Sequence, residues 1–433
     1  MNDIISTLAV LTFSLALMLN VSTRLRPYER KWVWASYVAH IVSAFALLGV
    51  YTFFYTGGDI TAYAIFARRA NELTWTDPVG YVPELIKAFF RQPSALDPYL
   101  YSAGSSTGAM SAATALGFVL TGDSLIGCCM LFAMMSFASK VALYYALRDE
   151  FHVKLHPRLL LGLLLVPSAV FWTAGVVKEA LAMFGLGFTV LGLKLLVSGE
   201  KRGLGLIALM WGGTFVINIK PYIAVPLSVA FGLYYSANRL RDTGADLTAL
   251  AKKPINVIGG VVFSLGMVWA IGEFFPIFSI DKIAEETARL QQYGERDRGG
   301  STFQIGSGEA TSLTQQAMFA PLALINTLFR PFIFEVHNAV ALFNGLETAA
   351  ITLLWGIALY TRTPRGALTA LLKVPMLLFC MTFVVLFGVG VGLGTTNLGT
   401  LSRYRVPMMP FYVTTLLLMI PYGVAPWERQ SSR

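Results

Sequence analysis

The sequence predicts an all-α fold, a polytopic bundle of about eleven transmembrane helices that forms one integral membrane domain over residues 1–433. Two observations lead to this prediction. First, 55% of the residues are apolar and only 13% are charged, about half the charged share of an ordinary soluble domain. Second, apolar stretches recur along the whole chain at the length of about 20 residues that a helix needs to cross a bilayer. A nucleic-acid-binding module, a soluble enzyme and a disulfide scaffold are excluded.

The basic residues predict how the chain is threaded. The predicted spans are 5–22, 33–55, 125–147, 159–177, 179–198, 204–218, 221–236, 256–278, 339–360, 371–394 and 406–424. Basic residues favour the cytoplasmic side, and a basic cluster at 24–31 follows the first span. The amino terminus is therefore expected outside and, after an odd number of crossings, the carboxyl terminus inside. Lys140 is expected to snorkel to the cytoplasmic surface.

One apolar stretch, residues 108–120, is too short for a span. It has 13 residues, fewer than the about 17 that a crossing requires. Counting it as a span would also move Arg148, Lys154 and Arg158 outside, against the charge bias. The stretch is predicted to be a re-entrant or interfacial helix. If it does cross, a short neighbour such as 204–218 must not.

Two long outer segments connect the predicted spans. The first, residues 56–124, alternates Pro, Tyr and Trp with apolar residues, a pattern typical of interfacial helices. In the second, residues 279–338, apolar residues at helical spacing predict an amphipathic helix over 280–293. A Gly- and Ser-rich stretch follows that helix and is expected to be mobile.

The first candidate site residue is Asp59, which follows two glycines where the second span ends, with Tyr63 one turn later. The glycines allow a sharp turn, which would direct Asp59 over the mouth of the bundle. Asp59 is then a general base or a carboxylate that holds an acceptor hydroxyl. The alternative is an N-cap for a helix that begins at Ile60, and the two roles can coexist.

Three further charged residues lie at outward connections. Lys178 and Glu179 end the element 167–179, where an ionisable pair is costly unless it has partners or water. Lys178 would contact a phosphate oxygen and Glu179 would bind a sugar hydroxyl, or the two residues would lock neighbouring helices. Lys220 precedes Pro221 at another outward turn. It is a candidate ligand, although a snorkelling lysine is favoured there.

Arg330 and Glu335 flank a ridge of phenylalanines. Stacking surfaces next to polar groups suit a sugar ring or a lipid headgroup, and the alternative is an aromatic belt with one ion pair. Asn338, Asn344 and Glu347 then enter the next predicted span.

The last candidates precede the final span: Asn397, Arg403, Tyr404 and Arg405. A guanidinium binds phosphate oxygens two at a time and keeps its charge. Arg403 and Arg405 are therefore candidate phosphate ligands, and anchoring to lipid headgroups is the alternative.

Other chemistry has no motif in this sequence. A Walker loop, a dinucleotide fingerprint and a Gly-x-Ser-x-Gly elbow are absent. His152 and His156 are four residues apart, a spacing that suits a metal, but a solvated loop is favoured. No cofactor is indicated with certainty, and participation of a divalent metal stays open. Cys128, Cys129 and Cys380 are not expected to form a disulfide.

The order of these motifs resembles that of bacterial multi-pass GT-C-type glycosyltransferases, including EpsG-like and Wzy-like polysaccharide polymerases. The resemblance is carried by Asp59 with Tyr63, by the element 167–179 and by the segment 403–410. It implies transfer of a sugar from a polyprenyl-phosphate or polyprenyl-pyrophosphate carrier to a glycan or lipid acceptor, at the outer face of the bacterial inner membrane.

The resemblance also implies residue roles. Asp59 would position or deprotonate the acceptor hydroxyl, and Arg403 and Arg405 would neutralise the leaving phosphate. Our topology adds Lys178 and Arg330 to the phosphate ligands. Many relatives carry a second acidic residue, for which Glu179 and Glu335 compete here.

Two other classes stay open. A transporter or flippase of lipid-linked sugars or another anionic lipid would place ionisable residues near the middle of spans, whereas the motifs here gather on one predicted face. A non-catalytic membrane subunit is the third class. Membrane lipids are expected partners and nucleic acids are not.

Overall fold

A computed structural model describes residues 2–55, 57–199, 201–242, 266 and 313–422. Within these ranges the regular elements are helices, and there is no β-strand. Helices suit a chain this apolar because each backbone N–H and C=O is satisfied within its own segment. The α-helices are α1 Asn2–Thr23, α2 Pro27–Gly49, α3 Asp59–Thr74, α4 Pro78–Phe89, α5 Ser106–Thr121, α6 Leu125–Leu147, α7 His156–Leu164, α8 Pro167–Phe171, α9 Lys178–Ser198, α10 Arg202–Ile219, α11 Ala224–Asp242, α12 Leu313–Phe329, α13 Ala339–Thr361, α14 Pro364–Lys373, α15 Pro375–Leu393, α16 Leu398–Tyr404 and α17 Met409–Met419.

In the described part of the chain, seven helices are long and apolar enough to cross a membrane. They are Asp3–Thr23, Pro27–Phe54, Leu125–Glu150, Lys178–Ser198, Arg202–Ile219, Ala339–Thr361 and Pro375–Leu393. Each coincides with a predicted span. The chain is a multi-pass helical membrane protein, and the predicted count of eleven spans is not confirmed.

The remaining predicted spans differ in length or continuity. The stretch 159–177 is not one helix, because α7 ends at Leu164 and α8 covers only Pro167–Phe171. Pro167 lacks an N–H donor and disfavours helical backbone at the residue before it. The stretch 406–424 contains a shorter apolar helix, Val406–Met419. The stretch 221–236 forms a short turn and α11, which is not among the seven, and 256–278 lies outside the described residues apart from residue 266.

The first long outer segment is helical, as predicted. It contains α3, α4 and α5, and α5 packs against both of the others. The Ser105 side chain caps α5 by accepting from Thr107 N and Gly108 N, and Gly122 ends the helix in the left-handed conformation. The stretch 108–120 is therefore a helix, and its re-entrant or interfacial position stays a prediction.

The second outer segment contains a helix that the sequence analysis did not predict. The stretch 280–293 and the Gly- and Ser-rich residues after it, up to residue 312, lie outside the described residues. The next residues form α12, which packs closely against α15. Thr327 in α12 donates a hydrogen bond from Oγ1 to Gly388 O at 2.8 Å.

The chain divides into two compact units. Unit 1 contains Met1–Ala146 and Ala169–Pro221, and unit 2 contains Leu147–Ser168 and Tyr222–Arg433. In unit 1, α9 and α10 form an antiparallel pair that depends on glycine, because a Cβ at Gly212 would lie 2.4 Å from Thr189 N. In unit 2, α11, α12 and α17 pack against α15, and α17 also packs against α7.

The prediction that Lys140 snorkels to the cytoplasmic surface is wrong. Its side chain is fully buried, and its ammonium donates hydrogen bonds to Ala169 O at 2.9 Å and Thr173 Oγ1 at 2.8 Å. Lys140 lies well inside α6, two turns before its carboxyl end, where the α6 side facing the core carries Ser136 and Lys140. Tertiary packing therefore keeps this ammonium inside unit 1.

Candidate functional site

Asp59 begins α3 directly after a turn made by two glycines. Gly57 and Gly58 have φ angles of 150° and 111°, values that residues with a Cβ rarely adopt. A Cβ at Gly58 would also approach the Tyr51 ring to 3.1 Å. Gly58 holds the N-cap position and Asp59 is the first helical residue, so the prediction that Asp59 caps the helix is wrong. Its negative charge still lies in the first turn, where the helix dipole favours it.

Tyr63 and Lys178 both belong to unit 1 and contact the segment that leads into α5. The Tyr63 ring is buried and meets the Tyr101 ring edge to face at 6.4 Å. Lys178 Nζ donates to Ser106 Oγ at 3.2 Å and to Thr107 Oγ1 at 2.8 Å. The ammonium is therefore fixed beside the amino terminus of α5.

Glu179 and Lys220 form a buried ion pair, because the antiparallel arrangement of α9 and α10 brings the start of one helix to the end of the other. Lys220 Nζ lies 2.7 Å from Glu179 Oε1, and the two side chains are 3% and 0% exposed. The prediction of a snorkelling Lys220 is wrong. Arg91 Nη2 donates to Ile217 O and Asn218 O at the same end of α10, where the helix dipole favours a cation.

Arg330 and Glu335 form a two-point ion pair in unit 2. Arg330 Nε donates to Glu335 Oε2 at 3.1 Å, and Arg330 Nη2 donates to Oε1. Burial by itself raises the pKa of Glu335, but the hydrogen bonds from Arg330 and Phe332 N and the Arg330 charge outweigh it and hold the pKa below its usual value. The Phe332 and Phe334 rings beside the pair stack at 5.2 Å, and Phe334 is largely exposed.

Arg405 is buried completely, so its guanidinium does not project outward as a phosphate ligand would. Nη1 donates to Thr327 O at 3.0 Å and to Arg330 O at 2.6 Å, and Nη2 donates to Thr348 Oγ1 at 2.8 Å. The two carbonyls belong to the end of α12, where a cation compensates unpaired carbonyl groups. Arg405 thus fixes the backbone that carries Arg330.

Glu347 was not among the predicted site residues, yet it lies near Arg405. We call Ser168, Arg330, Glu347 and Arg405 the unit 2 cluster. Glu347 is 9% exposed, and Oε1 accepts a hydrogen bond from Ser168 N at 2.8 Å. Its charge acts on Arg405. Within the described ranges, three buried polar atoms of this cluster have no hydrogen-bond partner: Glu347 Oε2, Ser168 Oγ and Arg405 Nε. The sequence could have indicated Glu347 as a site residue, because it is the one acidic residue within the predicted span 339–360.

The remaining residues of the last motif take different positions. Asn397 Oδ1 accepts from Gly399 N at 2.8 Å and Thr400 N at 3.3 Å, so Asn397 is the N-cap of α16. Tyr404 is 36% exposed, and Arg403 is partly exposed in the same helix. Ser402, which precedes Arg403 in α16, is fully buried.

The clusters gather residues that are distant in the sequence. Unit 1 contains Asp59, Tyr63, Lys178, Glu179 and Lys220, and unit 2 contains Arg330, Glu335, Asn397, Arg403, Tyr404 and Arg405. In unit 2, Ser168 from the element 167–179 bonds to Glu347, and Arg405 from the segment 403–410 bonds to Arg330. Chemically, a partly exposed guanidinium such as that of Arg403 suits an anion, and a carboxylate oxygen suits a hydroxyl.

Metal-binding geometry is not found in the described part of the chain, where no group of three or more His, Cys, Asp or Glu side chains could hold an ion. His156, one of the two histidines four residues apart, is buried, and its Nε2 lies 3.0 Å from Arg148 O. The three cysteines are free and buried.

Comparison of the chain with protein-family models, curated proteins and solved structures found no match.

Proposed function

We propose that this chain is a membrane glycosyltransferase or polysaccharide polymerase. It transfers a sugar from a polyprenyl-phosphate or polyprenyl-pyrophosphate carrier to a glycan or lipid acceptor at the outer face of the bacterial inner membrane. The observation that supports this most is the unit 2 cluster, in which Arg405 fixes the Arg330 segment and interacts with Glu347. Such charges inside a multi-pass helical chain are costly and typically mark functional sites.

The reaction needs an anion site. The bond between the sugar C1 and the carrier phosphate oxygen breaks, and the phosphate departs with the bonding electrons. Fixed cations stabilise the charge that grows on that oxygen. Arg403 and Arg330 supply this charge in the proposal, while Arg405 positions the Arg330 backbone from behind.

The reaction also needs a base for the acceptor hydroxyl, whose oxygen forms the new bond to C1 and whose proton must leave. Asp59 takes this role in the proposal. Glu179 and Glu335 are each held in an ion pair, so their oxygens already bind a cation. Glu347 therefore replaces them as the second acidic residue in the proposal, since its Oε2 has no hydrogen-bond partner among the described residues.

The test is a transfer assay on the full chain in lipid nanodiscs, with a panel of labelled polyprenyl-phosphate and polyprenyl-pyrophosphate sugars. Asp59→Asn and Glu347→Gln should each lower turnover about 100-fold or more, while carrier binding and folding persist. The matched control is Asp149→Asn, because the Asp149 side chain is 77% exposed. Unchanged turnover in both variants would overturn the assignment, and no transfer with any carrier would overturn the function.

A transporter or flippase of lipid-linked sugars is the second candidate, and one observation favours it. The ionisable residues His40 and Lys140 are fully buried near the middle of two long apolar helices, Pro27–Phe54 and Leu125–Glu150. Charged groups at this depth are typical of transport pathways. Movement of the labelled carrier across sealed proteoliposomes without any acceptor would favour this candidate over the transferase.

A further inference from the structure

The ammonium of Lys140 lies in a cage of four polar atoms inside unit 1. It donates to Ala169 O at 2.9 Å, Thr173 Oγ1 at 2.8 Å and Ser136 Oγ at 3.1 Å. The fourth neighbour is His40 Nε2, at 2.7 Å. Lys140, His40, Ser136 and Thr173 are all fully buried.

The hydrogens of the two hydroxyl groups and of the His40 ring point away from Lys140 Nζ, because each is donated to another acceptor. The Thr173 hydroxyl donates to Ala169 O at 2.6 Å, and the Ser136 hydroxyl donates to Thr173 Oγ1 at 2.7 Å. His40 Nδ1 lies 2.7 Å from Ser36 O, a carbonyl that can only accept, so we assign the ring hydrogen to Nδ1. All four neighbours therefore present lone pairs to Lys140 Nζ, and this arrangement suits a proton-bearing nitrogen.

The site has no acidic partner in direct contact. Among the described residues no carboxylate bonds to Lys140. Tyr144, one turn after Lys140 on α6, donates to Glu29 Oε1 of α2 at 2.5 Å. The other ionisable residues of these two helices are Tyr28, Arg30, Lys31 and Tyr37 on α2 and Cys128, Cys129 and Tyr145 on α6.

The other elements packed against the cage contribute no direct charge. The segment 169–177 has no ionisable residue. Helix α9 approaches α6 closely, since a Cβ at Gly187 would lie 2.3 Å from Ser139 O. The charged residues of α9, which are Lys178, Glu179 and Lys194, are about two turns from that contact. One excess proton in the cage is thus stabilised by neutral dipoles alone.

We propose that Lys140 and His40 together form a proton-binding site inside the helix bundle, in which one proton is held between Nζ and Nε2 and is bound and released by the pair as a unit. When Nζ passes the proton to Nε2, the imidazolium donates to the amine lone pair, so the hydrogen bond between them persists with its direction reversed. Loss of the shared proton leaves the Lys140 amine with two N–H groups and one lone pair among four acceptors, which weakens the link between α2 and α6. This inference does not depend on the proposed transferase.

The experiment is a pH titration of the full chain in nanodiscs, with ¹⁵N-labelled lysine and histidine followed by NMR. His40→Gln and Lys140→Met assign the resonances. Coupled sites share macroscopic titration steps, so we expect the Lys140 Nζ and His40 ring signals to change together with one common midpoint. Two independent midpoints, or a signal that does not titrate while the other does, would overturn the proposal, and so would two signals that never titrate.

Two variants separate a shared proton from a purely structural contact. In Lys140→Met the His40 midpoint should be displaced by about one pH unit or more, whereas the exposed control Lys201→Met should leave it in place. Because Lys140→Met removes a buried side chain and is at risk of misfolding, Ser136→Ala provides a milder test. It keeps both titrating groups, and both signals should shift by the same amount. Separate shifts in Ser136→Ala would contradict a shared proton.

Discussion

The Glu179 carboxylate lies 2.7 Å from the Lys220 ammonium, and both side chains are almost completely buried. The two residues are 41 positions apart in the sequence, one at the start of α9 and the other directly after α10. The contact between Glu179 and Lys220 therefore forms only when α9 and α10 are correctly aligned. Removing one partner leaves a buried charge uncompensated, which costs far more than the intact pair contributes.

Glu179→Gln is expected to lower the free energy of unfolding by about 3–5 kcal/mol. The measurement is denaturant unfolding of the purified protein in detergent. The control is Lys87→Met, which breaks the Glu84–Lys87 pair at its 50% exposed lysine. Such surface pairs are worth about 0–1 kcal/mol. Equal decreases in the free energy of unfolding in the two variants would contradict the prediction that the Glu179–Lys220 pair is buried.

Gly212→Ala is expected to destabilise the contact between α9 and α10. The added Cβ would lie 2.4 Å from Thr189 N and 2.6 Å from Gly185 O, so the backbones must separate, at a cost of about 1–3 kcal/mol. Gly213→Ala is the neighbouring control, because a Cβ there meets nothing within 4 Å. The same unfolding measurement applies, and a Gly213 variant that is equally destabilised would argue against close helix packing.

Arg405→Lys is expected to be destabilising although it keeps the charge. A lysine ammonium lacks the planar fork that reaches Thr327 O, Arg330 O and Thr348 Oγ1 together. Each buried acceptor left unsatisfied costs about 1–3 kcal/mol, so a loss of at least about 2 kcal/mol should appear in unfolding. Arg365→Lys, on an exposed position of α14, should change stability little. An unchanged free energy of unfolding in Arg405→Lys would contradict the role of Arg405 in positioning the Arg330 backbone.

Acidification should weaken the Arg330–Glu335 pair. Since its hydrogen bonds to Arg330 and Phe332 N lower the pKa of Glu335 in the folded state, the carboxylate stabilises the fold above the unfolded-state pKa of about 4.3. That contribution is lost as the pH falls through the lower folded-state pKa. Unfolding curves of the wild type and Glu335→Gln should therefore differ at neutral pH and converge in acid. Glu72→Gln, at an exposed position, should not reproduce this convergence.

Part of the site was predictable, because some residues act through local backbone geometry. The two glycines before Asp59 predicted a sharp turn, and both have positive φ angles. Arg330 and Glu335 are five residues apart and form the ion pair that the alternative included, whereas the aromatic belt of that alternative stays a prediction. The roles of Lys220, Lys140 and Glu347 were missed or misjudged, because their partners come from helices far away in the sequence.

The sequence by itself determined the class of this protein: a helical chain that crosses a membrane several times. Hydropathy is a sum over neighbouring residues, and a backbone in lipid must satisfy its own hydrogen bonds, so local composition is sufficient. Only the tertiary structure decided which charges are partnered. Whether a lysine such as Lys140 reaches water or lies beside His40 depends on which helix faces pack together, and that choice is made by long-range contacts such as the close approach of α9 at Gly187.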